Sequence, residues 1–239
     1  MTGLLSPDAT PLGSPDPSLH PTSDRLSIDE LLATTRTVRK RLDLTRPVPM
    51  ELVRECLEIA LQAPSGSNRQ GWEWVVVTDP AKRAAIGELY GRSVREYHAA
   101  PGSAARLHAD DPERHAVQQR ISDSSAYLGE HLGEVPVHVI PCIHVGRGGP
   151  AGIPGGNQAG LWGSILPATW SYMLAARARG LGTAWTTLHL RYEAEVAEIL
   201  GLPDDVAQAA LVPTAYYTGD TFRPAARRPL DEILHLDGW

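Results

Sequence analysis

Ala63-Pro64-Ser65-Gly66-Ser67-Asn68-Arg69-Gln70-Gly71-Trp72 lies where the hydrophobic period of the chain changes, and that change decides the fold class. Upstream, Leu52, Val53, Cys56, Leu57, Ile59 and Ala60 recur at helical spacing, with Pro49 near the first turn and Glu51 close behind, so a helix is expected from about Pro49 to Gln62. Pro64 disfavours the α conformation at Ala63, and the Gly/Ser/Asn run that follows suits a loop. Downstream, Trp72 to Thr78 is β-branched and aromatic and reads as a strand. A loop of small residues with open backbone amides can approach a flat ring closely and offer it donors. The plain alternative is an ordinary helix-to-strand turn.

The same reading extends in both directions. Ser27 with Glu30 forms a capping box ahead of Ile28, Leu31 and Leu32, which starts a first helix. A helix is expected from about Asp79 to Tyr90, and another over the later half of the polar stretch from Gly91 to Glu134, roughly Pro112 to Leu132, with an irregular insertion before it. Val137 to Val145 reads as a strand. The Gly-rich segment from Gly146 to Gly160 leads into an apolar helix from about Leu166 to Arg179, which Gly180 ends at the C′ position. Further strands are expected at Thr183 to Leu188 and Ala210 to Tyr217, around a helix from Tyr192 to Leu200. Alternating helices and short strands give an α+β class. Residues 1–25, with five prolines, read as a loosely packed tail; 26–239 read as one domain with a lid insertion at about 93–132 and an extended arm at about 218–239. The helices at 50–62 and 166–179 are more apolar than a solvent-covered surface allows, which points to burial in a dimer.

Composition removes several classes. The 239 residues carry a formal charge of −6, 42% are hydrophobic, and no apolar stretch reaches the roughly 18 to 20 residues of a membrane helix. No basic segment followed by an apolar block opens the chain, so the cytoplasm is the expected location. Cys56 and Cys142 lie far apart and outside any CxxC or Cys/His cluster, and the nine histidines lack HExxH spacing; neither a disulfide framework nor a metal site is expected. No basic block favours nucleic acid.

Four groups could carry chemistry beside one decoy. Gly146-Arg147-Gly148-Gly149-Pro150-Ala151 matches a dinucleotide fingerprint, but Pro150 and the following Gly/Pro run leave no immediate helix to receive a pyrophosphate. From Val135 through Tyr192, 58 residues include Arg147, Arg177, Arg179 and Arg191 but no carboxylate, a field that favours an anion unless the segment is simply core. Arg36-Thr37-Val38-Arg39 would place two arginines on one helical face around a hydroxyl, suited to a phosphate or a polar ring edge. The loop from Ala63 is the second group, and the Arg cluster from Phe222 to Ile233 the last, with a solvated tail as its alternative.

Taken in order, these segments resemble the nitroreductase family of FMN-dependent oxidoreductases over about residues 27 to 235. Arg36-Thr37-Val38-Arg39 is similar to the family's R-S-x-R, Ala63 to Trp72 to its APSGxNxQPW, Gly180-Leu181-Gly182-Thr183-Ala184-Trp185 to its GLGTxW, and Arg227-Arg228-Pro229-Leu230 to its RKPL. The resemblance implies a three-layer α/β/α sandwich with a mostly antiparallel sheet, in an entwined homodimer holding two FMN at the subunit interface. It also implies that Arg36, Thr37 and Arg39 hold the ribityl phosphate and the pyrimidine edge, that Pro64, Ser65, Gly66 and Asn68 of the other subunit line the ring, and that a backbone N–H near Thr186, Thr187 or Leu188 meets N5. Arg227, with Arg228, would complete the phosphate site. Thr35, Gly71 and the long insertion depart from the family pattern. The chemistry implied is flavin-centred, without a catalytic side chain: ping-pong hydride transfer from NADPH or NADH to a nitroaromatic, quinone or similar small acceptor. A flavin-sequestering protein, or a tailoring or dehalogenating flavoenzyme on the same fold, is the alternative.

Overall fold

The computed structural model describes residues 26–146, 155–220 and 222–239, and only the backbone of 155–157. The elements run α1 Ile28–Thr34, α2 Met50–Ala60, β1 Trp72–Val77, α3 Pro80–Ala99, α4 Pro112–His131, β2 Val137–His144, α5 Gly155–Ala178, β3 Leu181–Thr183, α6 Glu193–Leu200, β4 Val206–Gln208 and β5 Val212–Tyr216. Strand β2 is the axis of the sheet. It carries β1 along one edge, while the other edge pairs first with β5 through Val137–Val139 and then with β4 through Cys142–His144; β3 completes the order on β5, and all these pairings are antiparallel. Pro141 sits in the middle of β2, where the second edge passes from one partner strand to the other. There its missing N–H breaks no continuous ladder, and its carbonyl still accepts from Ala209 N at 2.8 Å.

Alternation along the strands sorts the chain into three layers. Val137 and Val139 of β2, Val212 and Tyr216 of β5 and Trp74 and Val76 of β1 face α2 and α5, in a cluster with Leu52, Val53, Cys56, Tyr172 and Met173. Ile140 and Cys142, Leu211 and Ala215, and Val75 and Val77 face the opposite way, toward Ile86, Tyr90 and Val94 of α3, Leu128 of α4 and Val196 of α6. Because both faces are covered, β2 is buried almost end to end. The α+β sandwich expected from the sequence is thus the fold observed. Burial of α2 and α5 takes place largely within the one chain, against their own sheet, so their apolar content is explained without a second subunit.

Several boundaries differ from expectation. Helix α3 runs past Tyr90 to Ala99, because Ser93 and Val94 turn inward and pack where α4 crosses, and a polar stretch hides that face from a periodicity reading. The α3–α4 crossing needs glycine: a Cβ at Gly91 would come within 2.6 Å of Gly129 O. The expected lid insertion is therefore a helical hairpin whose 100–111 connection includes a 3-10 turn, Ala104–Arg106. Helix α5 starts at Gly155, well before Leu166, and continues through Pro167. The strand expected over 183–188 shortens to β3 plus an isolated Thr186–Leu211 bridge, and β4 has too few residues to show a period. The tail 1–25 and most of the 146–151 fingerprint lie outside the described residues.

Two histidines are buried in the layer beneath α3 and α4. His138 Nε2 lies 2.8 Å from Leu132 O, whereas neither ring nitrogen of His189 has a partner among the described residues. Burial pushes His138 down to about 4 and His189 to about 3. Unfolded imidazoles bind protons near 6.5, so between that pH and the folded values the unfolded state holds more protons and stability falls with falling pH, by up to about 1.4 kcal/mol per pH unit for each ring. Urea midpoints measured from pH 7 to pH 5 should fall accordingly, and His189→Leu should flatten the slope. An unaltered slope in that variant would contradict the burial.

Candidate functional site

The site begins with a close approach of two segments. Past Thr35, the C-cap of α1, the backbone is extended: Thr37 bridges Thr183 in parallel, and Val38 N donates to Thr183 O at 2.7 Å. Gly182 makes room for this, since a Cβ there would lie 3.2 Å from Val38 Cγ1, Leu42 Cδ2 and Tyr217 Cβ at once. The extended backbone corrects the expectation that Arg36 and Arg39 share a helical face. Outside a helix, the two side chains reach different partners, Arg223 O and Ser124 Oγ. Arg36 is exposed and donates from Nη1 to Arg223 O at 3.1 Å, tying the end of α1 to the C-terminal arm.

Arg39 turns inward, to a cavity of about 330 Å³ whose walls are Thr186, Thr187, Leu188 and Trp185 on one side and Tyr90, Tyr97, Ala104 and the serines of α4 on the other. Its Nη1 donates to Ser124 Oγ at 3.1 Å, and its Nε is buried without a partner among the described residues. Burial lowers the guanidinium pKa from its ordinary value, while the Tyr90 phenol acts in the other direction; the group stays a cation with unused donors. The opposite wall is held from both sides. Thr186 exchanges backbone bonds with Leu211, its Oγ1 lies 3.1 Å from Tyr90 Oη, and Leu188 O accepts from Ser93 Oγ at 2.6 Å. Of the residues anticipated from sequence, Arg39, Thr186, Thr187 and Leu188 meet here. Tyr90, Tyr97, Trp185 and the serines of α4 were not anticipated, since hydroxyl and aromatic residues in a polar stretch carry no signal without the hairpin geometry.

The loop from Ala63 forms a different cavity, of about 590 Å³, with His144, Gly160 and Ser164. Ser67, Asn68 and Gln70 all have positive φ, at 54°, 51° and 49°, a strained run for non-glycine residues. Gly66 N donates to Ser164 Oγ at 3.0 Å and Gln70 N to Ser65 Oγ at 3.1 Å, which pins the loop while Pro64, Gly66 and Asn68 stay exposed. Within one chain these residues line a cavity other than the Arg39 cavity.

The remaining cations separate by partner. Arg228 donates to Glu232 Oε2 at 3.2 Å, whereas exposed Arg227 bonds only the neighbouring Ala226 carbonyl. The arginines of the acid-free window are largely matched from outside it, which corrects the expectation of an open anion-attracting field: Arg179 pairs with Glu55 at 3.0 Å and Arg191 with Glu96 at 3.6 Å. Arg177 is buried, donates to the Tyr217 hydroxyl and lies over the Phe222 ring at 4.7 Å; Arg147 is outside the described residues. No cluster among the described residues could hold a metal ion.

Comparison with known proteins identifies the fold and the family. The chain is 32% identical to a protein named NADH dehydrogenase from Thermus thermophilus, over 79% of this chain and 86% of the relative. Among solved structures, the FMN and NADPH-dependent nitroreductase NfnB from Sphigopyxis sp. strain HMH superposes with a TM-score of 0.65 at 24% identity, over 90% of this chain and all of that one. Oxidized iodotyrosine deiodinase bound to FMN and 3-iodo-L-tyrosine also gives 0.65, at 20% identity, over 86% of this chain and 96% of that one. The nitroreductase family model spans residues 32–216, from the last turns of α1 to the end of β5, and with the Arg39 segment laid on Gly182 and Thr183 the chain belongs to that family.

Proposed function

We propose that this protein is an FMN-dependent oxidoreductase that takes electrons from NAD(P)H and delivers them to a small nitroaromatic, quinone or similar acceptor. The observation that carries this reading is the half-buried Arg39 guanidinium, a cation whose Nε is buried with no partner among the described residues, beside a cavity walled by Tyr90, Tyr97, Trp185 and the 186–188 segment. Bound FMN would supply two-electron chemistry at its N5. The protein's part is electrostatic and positional. Arg39 would hold the pyrimidine edge, where its positive charge needs no titrating acid to offset the charge of a reduced flavin. The segment from Thr186 to Leu188 would offer a backbone N–H to the flavin N5, and Ser93, Tyr90 and Leu211 hold that segment in place. Arg36 and Thr37, with Arg227 of the arm, would hold the phosphate. Arg228 contributes less, since Glu232 already takes its guanidinium.

Pro64, Ser65, Gly66 and Asn68 belong to this site only if a second copy supplies them, which makes the working unit a homodimer. Two features of the single chain support that. The loop is strained, pinned and exposed. The arm leaves Leu230 65%, Leu236 79% and Trp239 104% exposed, and Ile28 of α1 is 77% exposed, a scatter of large apolar groups that a partner surface would cover. A cytoplasmic location suits the two free cysteines. Among the described residues no helix is long and apolar enough to cross a membrane.

On this chain's side the Arg39 cavity includes no carboxylate. An acceptor bearing an ammonium group finds no counter-ion there, so we place an amino-acid dehalogenase second and a flavin-sequestering role third. Purified protein incubated with FMN should turn yellow and bleach on addition of NADPH or NADH, then recover its colour with a quinone. Protein that stays colourless with excess FMN would refute the assignment, and yellow protein without steady-state turnover would favour sequestration. Arg227→Ala should weaken FMN binding by about 1 to 3 kcal/mol through loss of a charge-assisted phosphate contact, and Arg228→Ala by less. Equal dissociation constants for Arg227→Ala and the parent would remove Arg227 from the site. Deleting residues 230–239 should convert a dimer in sedimentation velocity to a monomer; a parent that already sediments as a monomer overturns the shared site.

A further inference from the structure

We propose that Ser124 of helix α4 is a positioning residue that fixes the Arg39 guanidinium against the flavin, so that the docking of the α3–α4 hairpin sets how tightly flavin is held and how easily it is reduced. The proposal rests on the flavin reading above.

The argument starts from the hydrogen bonds that Arg39 lacks. A guanidinium carries five N–H donors, and in half-buried Arg39 water does not reach them all. From Arg39 the structure shows one side-chain hydrogen bond, Nη1 to Ser124 Oγ at 3.1 Å, while Nε is buried with none. One hydroxyl therefore decides which way the planar fork faces. That hydroxyl is itself oriented: Ser124 Oγ donates to Ile121 O at 2.9 Å, which spends its proton along α4 and leaves its lone pairs for the cation. Ser122 and Ser125 line the cavity and Ser124 does not, so its hydroxyl acts on Arg39 from behind and not on an acceptor in the cavity.

The bond joins two segments remote in sequence, both bordering the cavity. Arg39 is anchored to the sheet through Val38 and Thr183. Ser124 belongs to the hairpin, whose closure depends on the Gly91–Gly129 crossing and on bonds within its own connection, Ala104 N to Tyr97 Oη at 2.9 Å and Gln119 Nε2 to Ala105 O at 3.0 Å. A shift of α4 at Ser124 would cost Arg39 this hydrogen bond and leave its guanidinium free to turn from the cavity. The charge that favours reduced flavin would then weaken together with the wall that covers it.

The test compares Ser124→Ala, which removes the acceptor, with Ser124→Thr, which keeps a hydroxyl, in the full chain. FMN dissociation constants follow from quenching of flavin fluorescence, and midpoint potentials from spectroelectrochemical titration. Ser124→Ala should raise the dissociation constant about tenfold and move the potential to more negative values, because the reduced, more negative flavin loses more than the oxidised one. Ser124→Thr should restore both. In flavin-free protein, Ser124→Ala should also speed amide exchange of the 37–41 segment. A dissociation constant and potential within error of the parent would overturn the proposal, as would an equal loss in the alanine and threonine variants, which would mean packing and not the hydroxyl. Failure of the parent protein to bind FMN would instead sink the flavin reading, and the exchange rates of the 37–41 segment would then decide whether Ser124 still orders Arg39.

Discussion

Gly182 lets the chain at Val38 lie directly on β3. With a Cβ in that position, three neighbouring side chains would each be crowded to 3.2 Å and would have to give by a few tenths of an ångström, beside the parallel bridge between Thr37 and Thr183. Because the contact is intimate, Arg39 is presented at a fixed height above the sheet, beside the turn that follows β3. The two motifs involved are some 140 residues apart in the chain, yet the site consists chiefly of their contact. Residues farther out, including Tyr90, Ser93 and Ser124, act by holding one or the other of these two segments in place.

The rest of the architecture supplies rigidity and cover. Strand β2, buried on both faces, ties together the helical layer of α2 and α5 and the layer of α3, α4 and α6. The second layer does double duty, since the face of α3 that buries Ile86 and Val94 in the core also delivers Tyr90 to the cavity. A wall shared with the core cannot rearrange without disturbing the packing. The 100–111 connection at the hairpin tip is held by fewer contacts, among them Ala104 N to Tyr97 Oη and Gln119 Nε2 to Ala105 O. Rigidity on the sheet side and freedom on the hairpin side suit a protein that must hold one ring constantly and admit another in turn.

Much of this was legible along the chain. The capping box at Ser27 and Glu30 forms as read, Gly180 takes the left-handed conformation of a C′ residue at φ 77°, and the apolar period of 50–62 and the β-branched run of 72–78 become α2 and β1. These features depend on groups within a few residues of one another, where local rules suffice. The ordered motifs likewise marked Arg39 and the segment at Thr186. What they could not do was orient Arg36 and Arg39, because a pairing with Thr183 overrode the helical continuation that local spacing suggested. Nor could they show that Arg179 and Arg191 are already paired and that Arg177 is buried against Tyr217, since Glu55, Glu96 and Tyr217 lie far off in sequence.

Sequence by itself therefore determined the class of the fold, the places where the chain turns, and the identity of the arginines and small residues available to a flavin. Each of these follows from short-range propensity, side-chain period or residue chemistry. Tertiary structure alone decided which arginine borders the cavity with a buried donor to spare, which are exposed or paired, and which hydroxyls stand behind the wall of the cavity. Those outcomes depend on desolvation and on distances between segments, and both arise only when the sheet brings remote stretches of chain into contact.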